Sequence, residues 1–184
     1  MSLIVGIEPE RSIKNQLHNA ATQIVRMIET QGVPVNFIDP NTYHIELFSI
    51  RTKRISPKWL YQKMILKNFS VRKFDLSISR IKLGTSSRLR EFVYLQVDDG
   101  SDILREIVYD LGNRMGVKRS RNFTPGICIA RIPKDLSDQE IHNLQSSIHE
   151  YDQVNMYSVK FEFPGISIME KKNDQLVEVK KFAT

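Results

Sequence analysis

The spacing of apolar residues changes period several times along the chain. Leu3-Ile4-Val5-Gly6-Ile7 is an unbroken apolar run closed by Glu8-Pro9, the pattern of a short buried strand. Ile13, Leu17, Ala20, Ala21, Ile24, Val25 and Ile28 then recur at helical spacing. They predict a helix from Ser12, read as its cap, to Ile28, ended by Gly32 and Pro34. Val35 to Ile38 reads as a short strand and Asp39-Pro40-Asn41 as a turn. The β-branched and aromatic stretch from Thr42 to Ile50 reads as a longer strand. Ser56-Pro57 opens a helix to about Lys67, with Pro where a first helical turn accepts it.

Strands are expected over Lys73 to Leu83 and Glu91 to Val97, followed by a helix from Ser101 to Met115 that Gly116 terminates. Arg121 to Ile132 holds a loop and then a strand over 126–132. Ser137 with Glu140 makes a capping box for a helix to about Glu150. Three strands near 153–163, 165–170 and 176–182 complete the chain, with Asn173-Asp174 at the last turn. This order fits neither a regular βαβ alternation nor an all-β protein. It predicts an α+β fold with antiparallel sheets and helices packed outside. Helix, strand and helix recur over 12–67 and 101–150, so a single bilobal domain over residues 1–184 is expected, with two roughly matched lobes.

Composition narrows the function only a little. With 41% hydrophobic residues and 184 positions, the chain can bury a core without a metal or disulfide. Cys128 is the only cysteine, so no intramolecular disulfide can form, which fits a reducing compartment. The N-terminal apolar run is too short for a signal peptide or membrane span, and no later run is long enough. A cytoplasmic protein without a membrane partner is expected. His18, His142 and His149 fall on predicted helices as surface residues without metal-ligand spacing, so neither metal nor cofactor is expected. The net charge of +6 favours a polyanion.

Two segments carry a resemblance. One is Tyr43-His44-Ile45-Glu46-Leu47-Phe48, preceded by the Asp-Pro-Asn turn. The other is Arg121-Asn122-Phe123-Thr124-Pro125-Gly126-Ile127-Cys128-Ile129-Ala130-Arg131. Together with the element order they resemble the 2H phosphoesterases, the LigT-like RNA 2',3'-cyclic phosphodiesterases also called 2'-5' RNA ligases. That family carries a His-x-Thr/Ser-x motif on one strand of each lobe, across a central cleft. Arg121, Phe123, Pro125, Ala130 and Arg131 match its second motif. Gly126 stands where the second His belongs, and Glu46 and Cys128 stand where hydroxyl residues belong. The resemblance implies a reaction in which one His is general base, the other general acid, and the hydroxyls hold phosphate.

Residues two apart on a strand share a face. His44, Glu46 and Phe48 are therefore expected on one stripe, facing Gly126, Cys128 and Ala130, with Ile45, Leu47, Ile127 and Ile129 in the core. Acid–base catalysis contributes about 10²- to 10⁴-fold per group, and glycine supplies none. A carboxylate 4 Å from a phosphate charge is repelled by about 4 kcal/mol at an effective dielectric near 20. Glu46 should therefore reject phosphate unless Arg121 or Arg131 neutralises it. Cys128 is a weak donor and reads as a small core-like residue. His44 has a structural reading too, as a strand histidine bonded to Glu46 or to backbone.

Arg51-Thr52-Lys53-Arg54, Arg88-Leu89-Arg90 and Lys118-Arg119-Ser120-Arg121 are basic runs, and two of them adjoin the motif strands. Arg51, Arg54, Arg119, Arg121 and Arg131 are expected to rim a basic cleft for RNA or a nucleotide, with Tyr43 and Phe123 placed to stack on bases. The reading that follows is a catalytically impaired binding protein. A hydrolase using His44, alone or with Glu46 or a nearby group, and a partner-binding ribonucleoprotein subunit with a vestigial cleft remain open.

Overall fold

A computed structural model describes residues 2–51, 56–84, 90–117, 123–155, 157–172 and 175–182. β1 (Ser2–Ile7) leads into α1 (Arg11–Thr30), and β2 (Asn36–Phe37) leads through a 3₁₀ turn (Pro40–Thr42) into β3 (Ile45–Arg51). Next come α2 (Pro57–Lys67), β4 (Asp75–Leu83), β5 (Phe92–Val97), α3 (Ser101–Met115), β6 (Gly126–Arg131) and α4 (Asp138–Val154). β7 (Val159–Glu162), β8 (Ile166–Lys172) and β9 (Gln175–Phe182) close the chain.

The local signals act largely where the sequence puts them. Ser56 Oγ accepts from Trp59 N at 3.2 Å, and Ser137 and Glu140 close a full capping box. Gly116 takes the left-handed conformation that ends α3. The start of α1 differs from expectation. Glu10 is its N-cap without a side-chain cap bond, and Ser12 lies inside the helix. α4 runs on to Val154, through the start of the strand expected at 153, because Ile148 and Tyr151 continue its packed face.

All strands join one antiparallel sheet in the order β7-β4-β5-β6-β3-β1-β8-β9, with β2 added beside β6. The expected lobes are the two halves of this sheet, β3-β1-β8-β9 and β6-β5-β4-β7, meeting where β3 pairs with β6. In each half an edge-side strand feeds a helix and then the central strand: β1-α1-β3 and β5-α3-β6. α1 lies against β6 and α3 against β3, so each helix crosses to the central strand of the other half. Their apolar faces and the inner face of the sheet form one core, including Leu17, Ile24, Ile45, Leu104, Leu111 and Ile127.

Each central strand carries a bulge at the same place. Val5 pairs with Phe48 and Gly6 with Glu46, so Leu47 is the extra residue in β3. Val93 pairs with Ala130 and Tyr94 with Cys128, so Ile129 is the extra residue in β6. A bulge reverses side-chain alternation beyond it. Phe48 and Ala130 consequently return to the core rather than continuing the stripe of His44 or Gly126. Phe48 packs where α3 passes at Gly112. The same reversal puts Arg131 on the outer face, exposed.

Candidate active site

The antiparallel pairing of Ile45 with Ile127 carries His44 towards Cys128 and Glu46 towards Gly126. The four motif positions thus meet on the outer face of the sheet, while Ile45 and Ile127 are fully buried beneath them. Pairing across β5, β6, β3 and β1 arranges that face in two rows. One runs Gln96, Gly126, Glu46, Gly6, and the other Tyr94, Cys128, His44. Glu46 therefore stands between two positions without side chains. Neither glycine is a simple vacancy. A Cβ at Gly126 would lie 2.9 Å from Leu95 O, and one at Gly6 would lie 2.6 Å from Ile45 O.

His44 is half-buried, and its Nδ1 lies 2.7 Å from Thr42 O. A carbonyl only accepts, so Nδ1 carries the hydrogen and Nε2 is the basic nitrogen. The turn supplying that carbonyl is itself pinned. Asp39 Oδ1 accepts from Asn41 N at 2.9 Å, and the buried Lys14 ammonium donates to Asn41 O at 2.8 Å and to Glu8 Oε1 at 2.6 Å. This clamp escapes a sequence reading, because Lys14 occupies a polar slot of a helical pattern and its partners come from β1 and the turn.

On the neighbouring strand, burial pushes the Cys128 thiol up to about 12, against the opposing pull of Arg131, and its Sγ leans on Ala130 O at 3.7 Å. Burial also pushes the Tyr94 phenol to about 12, with the Cys128 and Glu46 charges adding to it and Arg131 opposing. At neutral pH both groups are protonated. The reactive form of a thiol is the thiolate. We therefore expect a disulfide reagent at pH 8 to leave native Cys128 unmodified and to titrate one thiol in denaturant; rapid labelling of the folded protein would contradict that burial. The pH sign follows. An acid whose folded pKa is raised contributes stability fully present below its unfolded value and lost as pH rises through the folded one. From the ordinary value of 9.0 for Cys128 up to about 12, stability should fall, and Cys128→Ala should flatten that decline in alkaline unfolding.

Comparisons with known structures fix what this frame is. The chain matches E. coli LigT complexed with ATP at a TM-score of 0.67 and 11% identity, covering 99% of this chain and 96% of that one. It matches E. coli LigT complexed with 3'-AMP at 0.64 and 14% identity, covering 98% and 96%. It also matches TT0787 of Thermus thermophilus at 0.61 and 16%, covering 100% and 97%. The chain has the LigT fold. No protein-family model matches the sequence, and no curated protein matches it. At these identities the likeness carries the architecture, and the chemistry has to be read from the residues of this chain.

On the LigT fold, the sequence-predicted site divides sharply. His44, Glu46, Gly126, Cys128 and Arg131 come together as described. Arg131 lies over Phe92, its guanidinium carbon 5.0 Å from the ring centroid. Tyr43 and Phe123 do not offer stacking surfaces. They are 1% and 8% exposed: Tyr43 alternates with His44 and so falls on the core face with Ile45, and Phe123 is buried in the core before β6. Arg54, Arg119 and Arg121, with the side chain of Arg51, lie outside the described residues. Among the histidines expected at the surface, His142 and His149 are exposed. His18 is half-buried with its ring edge-on to Phe37 at 5.8 Å. Among the described residues no cluster of His, Cys, Asp or Glu has a metal-binding arrangement, and no helix is long and apolar enough to cross a membrane.

The outer stripe of β5, Phe92, Tyr94 and Gln96, was not singled out from sequence. Its only signal is strict alternation with Val93, Leu95 and Val97. That marks a two-faced strand but cannot tell that its half-exposed face borders Gly126 and Cys128.

Proposed function

We propose that this protein is a member of the 2H phosphoesterase family that binds a nucleotide or an RNA end in a basic cleft over the outer face of the sheet, where β3 meets β6, and has lost the phosphodiester-opening step. The observation that carries this reading is the floor at Gly126. The backbone of β5 crowds the space a Cβ needs there, so a second imidazole would require the paired strands β5 and β6 to shift. His44 retains a basic Nε2, but it faces protonated Cys128 and Tyr94 where a reacting phosphate would need a matched acid and two good hydroxyl donors. Glu46 adds repulsion of about 4 kcal/mol towards a phosphate charge 4 Å away at an effective dielectric near 20. Binding is supported by the net charge of +6, by Arg131 at the cleft, and by nucleotide complexes of LigT with ATP and 3'-AMP. Arg51, Arg54, Arg119 and Arg121, basic residues near the motif strands in sequence, are expected to add to binding in this reading, which has a cytoplasmic protein with RNA or nucleotide as its partner and no cofactor.

The test pairs a hydrolysis assay on nucleoside 2',3'-cyclic phosphates with a binding titration. We expect no turnover above background and binding that weakens as salt rises. Turnover abolished by His44→Ala would overturn the loss of function and favour a hydrolase in which His44 works with a nearby acid. Tyr94, in the same row as His44 and kept protonated by burial, is the group such a hydrolase would use, and Tyr94→Phe would then stop it as well.

A further inference from the structure

We propose that the outward face of α2 docks on an anionic lipid bilayer and lies in its surface as an interfacial helix. α2 is apolar on both sides. Trp59 and Leu66 are buried on the inner side, where Gln62 Nε2 donates to Met115 O at 3.2 Å and fixes the helix on α3. Pro57, Leu60, Tyr61 and Met64 recur at helical spacing on the opposite side, and all four are exposed. Leu60, Tyr61 and Met64 keep 60%, 54% and 53% of their surface in solvent. A helix with apolar residues all round calls for cover on both sides, and a contiguous exposed stripe marks an interaction surface. Because the inner side is already packed and pinned, the outer stripe cannot turn inward.

Charge selects what covers it. Residues 56–74 hold Lys58, Lys63, Lys67, Arg72 and Lys73 and no acidic residue, so these 19 residues carry five of the six net positive charges. By helical position Lys63 and Lys67 flank the stripe on one side and Lys58 on the other. All three are exposed, and none has an ion-pair partner among the described residues. Lysines so placed lay their alkyl stems along an apolar stripe and reach their ammonium groups to lipid phosphates. A second copy of this chain would bring three lysines against three, with no carboxylate on either helix to relieve them. RNA would satisfy the lysines but offers Leu60 and Met64 nothing to bury against. The stripe is also a ridge: its residues line neither the cavity beside α4 nor the one along α3, so it suits a flat, yielding surface better than a peptide. Eleven residues are too few to span a bilayer, so the attachment is peripheral. The absence of a long apolar run, from which no membrane partner is expected, bears only on spanning segments.

Co-sedimentation with vesicles of phosphatidylcholine and phosphatidylserine in equal parts, and of phosphatidylcholine alone, tests the surface. Wild type is expected to bind the mixed vesicles at low salt about tenfold more tightly or better than the neutral ones, and less as salt rises. Leu60→Ser with Met64→Ser should weaken that binding about fivefold or more, and Lys58→Gln, Lys63→Gln and Lys67→Gln together about tenfold or more. Both variants change exposed positions, so thermal denaturation should match wild type. The serine pair should also leave nucleotide affinity unchanged, since neither residue belongs to the cleft. Tyr61→Trp reports depth. Its added emission should shift to the blue on the mixed vesicles, a change that adhesion by charge alone does not produce. Wild type that ignores the mixed vesicles at low salt, binding that survives both variants, or an unshifted Tyr61→Trp spectrum on bound protein would overturn the proposal. So would a dimer that the serine pair dissolves, or RNA affinity that the pair weakens while vesicle binding stands, since either gives the stripe to another occupant.

Discussion

Restoring the family's residues should not restore the reaction. We expect Gly126→His, combined with Cys128→Thr and Glu46→Thr, to remain inactive on nucleoside 2',3'-cyclic phosphates and to unfold at a lower temperature than wild type. The single change Gly126→Ala should already carry most of the structural cost. Its added Cβ would sit 2.9 Å from the carbonyl oxygen of Leu95, an atom fixed in the β5–β6 ladder. Relief therefore requires moving a paired backbone, unlike a clash with the end of a flexible side chain. Overpacking of this kind costs about 1–3 kcal/mol. In a domain of this size each kcal/mol lowers the melting temperature by about 2–4 °C. Thermal denaturation of Gly126→Ala and a cyclic-phosphate assay on the triple variant decide the matter. A triple variant with wild-type stability and His44-dependent turnover would show that the strands can part and that only side chains had been lost.

The strand spacing at Gly126 also marks the limit of what the sequence could tell. The departure from His was visible at once, but whether it left an empty seat or a closed floor depends on how near β5 approaches. Elements were legible where one local signal decides them: the capping box at Ser137, the Pro after Ser56, the glycine ending α3. The cleft stripe was legible for its first two positions on each strand and then failed, since bulges at Leu47 and Ile129 arise from pairing between strands. Tyr43 was misplaced for a related reason. It alternates correctly with His44, so the face opposite the cleft claims its ring and buries it. That Tyr94 and Gln96 lie beside Cys128 and Gly126 depends on β5 being the neighbour of β6, which no local pattern specifies.

Lys14 is the second position where a large effect is expected, and it acts at a distance from the cleft. Its ammonium is buried between the Glu8 carboxylate and the Asn41 carbonyl, joining the end of β1, the first turns of α1 and the 3₁₀ turn before β3. Lys14→Met fills similar volume but leaves both acceptors without their donor. Breaking a buried ion pair by removing one partner costs about 3–5 kcal/mol. The Glu8 side chain keeps 27% exposure and can recover some hydration, so about 2–3 kcal/mol is expected here. Glu8→Gln in the Lys14→Met background should recover part of that loss, since it removes the stranded charge, and a double-mutant cycle measures the coupling. The change should also reach the site. Asn41 adjoins Thr42, whose carbonyl holds His44 Nδ1, so loosening the turn frees the imidazole to rotate. Nucleotide affinity should then fall in Lys14→Met even at temperatures where the variant is fully folded. Unchanged stability in Lys14→Met would remove the clamp. Lowered stability with unchanged affinity would confine Lys14 to the fold and separate it from the placement of His44.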